Sequence, residues 1–168
     1  MSVDKVKDSD RIEEIARLRL HEDEVDVVLN KYVQEASREF NLPIGLVSIV
    51  LDDVQKFAAS EGLKGWIAET QGTPVEWAFC AHSVRSGEPF IVEDSEKNHL
   101  VKESPLTTME GIKCYAGAPL ISSRGYVLGN FCVMGEESRS FSTEEVAKLK
   151  DYAAKAMAHI ESRAAEPA

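Results

Sequence analysis

The longest regular pattern in the chain begins at Val25, where Val28, Leu29, Tyr32, Val33, Ala36 and Phe40 follow at steps of three and four. Such spacing lays one apolar stripe along a helix, with Asp26, Lys31, Glu35 and Arg38 on the opposite side. Asn41-Leu42-Pro43 ends that helix, because the residue before a proline avoids the helical region. A shorter helix is expected to start near Asp10, whose spacing to Glu13 suits a helix start, with Ile12, Ile15 and Ala16 opening its apolar face. The pattern falters at His21-Glu22-Asp23-Glu24, which predicts a break. Near the C-terminus Ser142 and Glu145 form a capping box, and Val146, Leu149, Ala153, Met157 and Ile160 stripe a closing helix.

Between the helices the period shortens. Residues 44–51 (IGLVSIVL) are β-branched and almost wholly apolar, which reads as a central strand; Asp52-Asp53 turns the chain and residues 55–60 return. Gly62, Gly65, Gly72 and Pro74 mark an irregular connection that carries Trp66. Residues 79–86 read as a short helix stopped by Gly87, 89–92 as a short strand, and 94–108 as a polar loop with a helical turn at 98–101. Residues 112–122 and 126–134 form a hairpin through Ser123-Arg124-Gly125. Tight hairpins in place of regular helical crossovers predict an antiparallel sheet. The two terminal helices can then pack on one face while the irregular middle covers the other, an α+β sandwich with a covered cavity.

At 168 residues the chain suits one domain. Its net charge of −10, from 19 basic and 29 acidic residues, repels phosphate backbones and anionic headgroups. Lys102, Lys113 and Arg124 are scattered singly, so neither nucleic acid nor a membrane surface is an expected partner. The N-terminus lacks an apolar signal region, and no run approaches the roughly 18 apolar residues of a membrane helix, so a cytoplasmic location is expected. Cys80, Cys114 and Cys132 are odd in number and read as reduced thiols, each most simply a small buried hydrophobe.

Several stretches stand out together: Leu42-Pro43-Ile44-Gly45-Leu46-Val47-Ser48, Phe79-Cys80-Ala81-His82, Pro89-Phe90-Ile91-Val92-Glu93-Asp94 and Tyr115-Ala116-Gly117-Ala118-Pro119-Leu120. Gly125, Leu128-Gly129-Asn130-Phe131-Cys132-Val133 and Phe141-Ser142-Thr143-Glu144-Glu145 complete the set. Taken together they resemble the GAF domains of bacterial signalling proteins. The resemblance divides the chain into an N-terminal extension or helix (1–22), a GAF domain (23–162) and a disordered tail (163–168). It implies a central six-stranded antiparallel sheet with the N- and C-terminal helices on one face and a small-molecule pocket on the other. It further implies dimerisation through those helices. The pattern is similar to the version found in histidine kinases and cyclic-di-nucleotide enzymes.

The candidate ligand-binding residues are Trp66, Phe79, Cys80, His82, Asp94 and Tyr115. Small-molecule sites are mainly apolar with a few polar groups, which suits the aromatic members, although aromatic residues are equally at home in a core. A neutral His82 can donate and accept at a cavity wall. Asp94 serves equally well as a turn or capping acid. On the strand, Cys114 and Tyr115 alternate, so one faces the pocket and the other the helices. Cys80 and His82, two apart on a helix, point about 200° from each other and make a poor catalytic dyad.

A zinc site needs about four ligands at workable spacing, and neither C-x-x-C nor H-E-x-x-H occurs. Some GAF relatives attach a bilin through cysteine directly followed by histidine, but Cys114 is followed by Tyr115; the N-K-F-D-E motif of cyclic-nucleotide binders is also missing. For haem, His82 and His99 offer only unspecific axial ligands. The resemblance therefore implies a non-catalytic sensory domain with no assigned metal and an unknown cofactor. It would bind an unidentified small molecule and signal through dimeric terminal helices to a partner protein. The alternatives are a ligand-free dimerisation module and a thiol-dependent reductase, since another branch of the family reduces free methionine sulfoxide with cysteine pairs.

Overall fold

The computed structural model describes residues 5–20, 26–63, 67, 71–77 and 79–165. Its strands are β1 (Ile44–Val50), β2 (Val54–Glu61), β3 (Gly72–Pro74), β4 (Phe90–Val92), β5 (Cys114–Ile121) and β6 (Val127–Gly135). They form one sheet in the order β3-β2-β1-β6-β5-β4, with every neighbouring pair antiparallel. β1 is buried along its whole length, which is why its sequence is apolar at consecutive positions. β3 falls within the stretch expected to be an irregular connection. Three residues suffice there because Gln55 Nε2 of β2 donates to Thr73 Oγ1 (2.6 Å) across the pair.

The helices are α1 (Ser9–Arg17), α2 (Val27–Glu39), α3 (Cys80–Ser86), α4 (Pro105–Thr108) and α5 (Thr143–Ala165). α1 starts earlier than its Asp10–Glu13 spacing predicts, because the Asp8 carboxylate accepts the Asp10 N–H (3.1 Å) as its cap. Gly87 ends α3 in the left-handed conformation at φ 73°, a geometry glycine adopts without a Cβ penalty. Ser142 and Glu145 cap each other's amides at the start of α5. α5 continues through Ala165, so residues 163–165 belong to the helix and not to a disordered tail. The 94–108 loop holds the expected turn (Val101 N–H to Asn98 O, 3.1 Å), and also a 3-10 turn at Ser95–Lys97 and α4. α4 forms because Ser104 caps it and Pro105 occupies its first position. The break expected at residues 21–24 lies outside the described residues. Among the described residues no helix is long and apolar enough to cross a membrane.

Two apolar cores lie on the two sides of the sheet. One joins α1, α2 and α5 to Val47, Ile49, Ala59, Ala116, Ala118, Leu120, Leu128, Phe131 and Val133. The other joins α3 and the loops to Ile44, Leu46, Val50, Phe57, Tyr115, Cys132 and Met134. Simple alternation does not assign every residue to its side. Val47 pairs with Ala59 and Ser48 with Phe57, so Ala58 is an extra residue, and the bulge sends Phe57 and Ala59 to opposite cores. The same device recurs where Leu120 pairs with Gly129 and Ile121 with Val127, leaving Leu128 to join the helices.

The N-terminal segment reaches both cores. Val6, in a turn against α3, is buried with the second core, whereas Ile15 on α1 is buried with the first. Between them the buried Arg11 guanidinium donates to Val6 O (2.6 Å) and approaches the Val127 and Leu128 carbonyls of β6 (3.4 and 3.5 Å).

Candidate functional site

A cavity of about 110 Å³ opens in the second core, on the sheet face away from α2 and α5. β1 supplies Ile44 and Leu46, β2 supplies Gln55 and Phe57, and α3 with the residue before it supplies Cys80 and Phe79. Tyr115 and Met134 come from β5 and β6, and Leu106, Glu110 and Ile112 from the loop region that precedes β5. Most of this lining is apolar, with Gln55, Cys80 and Tyr115 among its polar groups.

Tyr115 organises the polar end. It is fully buried, its ring edge-on to Phe79 at 5.3 Å. It lies flat because residue 117 is glycine: a Cβ there would fall 2.3 Å from the Tyr115 hydroxyl and 2.6 Å from Asn130 Nδ2. Asn130 Nδ2 donates to that hydroxyl (2.7 Å), which also shares a hydrogen bond with Cys80 Sγ (3.0 Å). Beside them Ser48 Oγ donates to Gln55 Oε1 (2.9 Å). Asn130 Oδ1 is buried and has no hydrogen-bond partner among the described residues.

Burial opposes ionisation of Cys80, but its polar neighbours Cys132, Ser48 and Tyr115 outweigh it and hold the thiol below its ordinary range. Burial, and then the neighbouring cysteines, push Tyr115 up; burial and Cys80 push Cys132 up. Substituting Tyr115 with phenylalanine is expected to cost about 1–3 kcal/mol, the price of leaving the Asn130 amide and the Cys80 thiol without their shared partner. Urea denaturation of the purified variant checks this, and a loss below about 0.5 kcal/mol would mean the network relaxes without cost.

Of the residues singled out from the sequence, Phe79, Cys80 and Tyr115 meet at the cavity. His82 is half-buried on α3 outside the lining, its ring 4.8 Å from Phe90, which lies 6.0 Å from Tyr115. Burial, aided by Arg85, holds the His82 imidazole below its ordinary range, so it is neutral at pH 7. Asp94 also lies outside the lining; its carboxylate accepts the Glu96 N–H (3.1 Å) and caps a 3-10 turn. Trp66 lies outside the described residues. Gln55, Leu46, Ile112 and Met134 line the cavity but were not singled out. Ser48 within an otherwise apolar strand was the available sign, since a polar residue there needs a buried partner. All three cysteines are buried and unbridged, and no group of three or more His, Cys, Asp or Glu among the described residues is placed to hold a metal.

The family pattern of the GAF domain matches residues 24–160. A cyclic di-GMP phosphodiesterase of Pseudomonas aeruginosa is 33% identical over 148 residues, covering 87% of this chain and 24% of that protein. This chain therefore spans about a quarter of the length of that curated relative. Among solved structures, the GAF domain of an Acinetobacter phosphoenolpyruvate-protein phosphotransferase superposes with a TM-score of 0.69, at 17% identity and over 100% and 99% of the two chains. The blue-light-absorbing PixJ GAF domain of Thermosynechococcus elongatus gives 0.63 at 14% identity, over 89% and 88%. With its antiparallel six-stranded sheet and a family match over most of its length, this chain belongs to the GAF domain family.

Proposed function

We propose that the chain is a non-catalytic sensory domain, working in the cytoplasm, that binds a small molecule in the cavity and reports its presence through the terminal helices of a homodimer. The carrying observation is that the cavity and the helices share the same strands. On β6, Cys132 and Met134 pack with the cavity side while Phe131 and Val133 pack under the helices. A ligand that moves one side of such a thin layer biases the packing on the other. A second route runs from α3, which carries Cys80, through the Lys5–Lys7 turn to α1. Phe79, Cys80 and Tyr115 are the proposed contacts inside the cavity, and Trp66, His82 and Asp94 are kept as further proposed ligand-binding residues. The receiver would be a signalling enzyme, as the cyclic di-GMP phosphodiesterase relative supports.

Native mass spectrometry of the purified protein tests this reading. The expected result is a dimer that carries a small-molecule mass, lost on substituting Tyr115 or Phe79. A ligand-free monomer at tens of micromolar, roughly the concentration at which such helix pairing should hold, would refute it.

One observation favours a second reading, a thiol-dependent reductase: Cys80 lines the cavity and has the buried Cys132 thiol among its polar neighbours. In such a reaction the two thiols become a disulfide while a sulfoxide substrate gives up its oxygen as water. Sulfoxide turnover with dithiothreitol, abolished by Cys80→Ser, would establish it; turnover that survives Cys80→Ser and Cys132→Ser would exclude it.

A further inference from the structure

Every charged side chain among the described residues lining the cavity is acidic. Glu110 and Glu136 are two of sixteen lining residues, and no Lys, Arg or His is among them. The lining residues that reach solvent are Pro43, Gly62 and Glu136, with Leu63 and Glu110 partly exposed, so these form the rim. The interior beyond them is hydrocarbon and aromatic, ending at the polar groups of Gln55, Cys80 and Tyr115. An entering anion would meet two carboxylates at close range, within a protein of net charge −10.

Size narrows the class further. An apolar cavity of about 150 Å³ accommodates benzene, so about 110 Å³ holds one ring or a branched chain of similar bulk. A nucleotide or cyclic dinucleotide is excluded from this volume by size as well as by charge.

We infer that the cavity selects a compact apolar group carrying a cationic head, the ring or chain in the interior and an ammonium at the Glu110–Glu136 rim. This rests on the cavity being the ligand site proposed above. A primary amine on one short linker from the ring supplies such a head, and its N–H groups match carboxylate acceptors. Because the rim is wet, the contribution of charge is moderate and falls as salt rises.

Three near-isosteric probes separate the terms: benzylamine, benzyl alcohol and benzoate, titrated into the full chain and followed by amide chemical shifts around Phe79 and Tyr115. Benzylamine is expected to bind with a Kd on the order of 1 mM, as suits so small a ligand, and about tenfold more tightly than benzyl alcohol. Benzoate should be weakest. Raising the salt from about 20 to 500 mM should shrink the amine's advantage. Glu110→Gln with Glu136→Gln should bring benzylamine down to the level of benzyl alcohol. If all three probes bind alike, or benzoate binds best, the inference is overturned while the cavity remains a ligand site. If none shifts those amides at tens of millimolar, far above the roughly 1 mM expected of such a fragment, the ligand-site reading falls and the inference falls with it.

Discussion

Replacing Phe131 with alanine is expected to lower the free energy of unfolding by about 3–5 kcal/mol. Phe131 has no solvent exposure and sits on central strand β6 between small cross-strand neighbours, Val47 on β1 and Ala118 on β5. Its ring stacks on Tyr152 of α5 at 5.2 Å with planes 11° apart, so it fills the gap between sheet and closing helix. Its loss removes the apolar contact and leaves a void that the neighbours cannot close. Tyr152 is fixed from its far end, where its hydroxyl donates to Glu39 of α2 (2.6 Å). Phe131→Leu, which keeps most of the volume, should cost about 1.5 kcal/mol or less. Guanidinium unfolding with an unchanged m-value reads both. A loss below about 2 kcal/mol for the alanine variant would show that α5 collapses onto the sheet, contrary to a rigidly held layer.

The second large effect is expected at Asp26. Its carboxylate accepts the Leu29 N–H (3.0 Å) as the cap of α2, and meets His159 Nε2 (2.8 Å) and Arg163 Nη1 (3.1 Å) of α5. Arg163 also donates to Leu18 O (3.3 Å), so one acid ties the end of α1, the start of α2 and the end of α5 together. Asp26→Ala removes the cap, worth about 0.5–2 kcal/mol, and strips the partner from Arg163. Arg163 keeps 20% side-chain exposure and can be rehydrated, so the total should be about 2–3 kcal/mol, below that for a fully buried pair. Asp26→Asn keeps the cap and should recover about half.

The same acid makes stability depend on pH. Burial tends to raise the Asp26 pKa, but the Leu29 amide, His159 and Arg163 together hold it below its ordinary value of 3.8. A carboxyl depressed in the folded state contributes stability above the ordinary value and loses it as the pH falls toward the depressed one. Glu14 and Glu39 are also held down, so the parent protein has several such contributions. The diagnostic is the difference: Asp26→Asn should approach the parent as acid is added below pH 3.8, and a constant gap across that range would remove Asp26 from the acid-sensitive set.

Much of this architecture was legible one stretch at a time. The stripe from Leu29 to Phe40, the apolar run of β1 and the turn at Ser123-Arg124-Gly125 each obey a local rule that little in the tertiary structure opposes. β3 was not legible, because its three residues become a strand only through the edge of β2. The cavity was partly legible: Phe79, Cys80 and Tyr115 stood out by type, whereas Leu46, Ile112 and Met134 look like any core residue until strands and loops converge.

By itself the sequence determined the longer elements, their order and the antiparallel character of the sheet, since helix stripes, caps and short turns act within a few residues. The tertiary structure alone decided which side of the sheet each residue serves. Alternation left Cys114 and Tyr115 interchangeable; packing turned Tyr115 toward the cavity, with Gly117 leaving room for its ring, and bulges at Ala58 and Leu128 reset the count on neighbouring strands. A bulge moves a side chain from one face to the other by a single residue, and whether one forms depends on what both faces must bury at once.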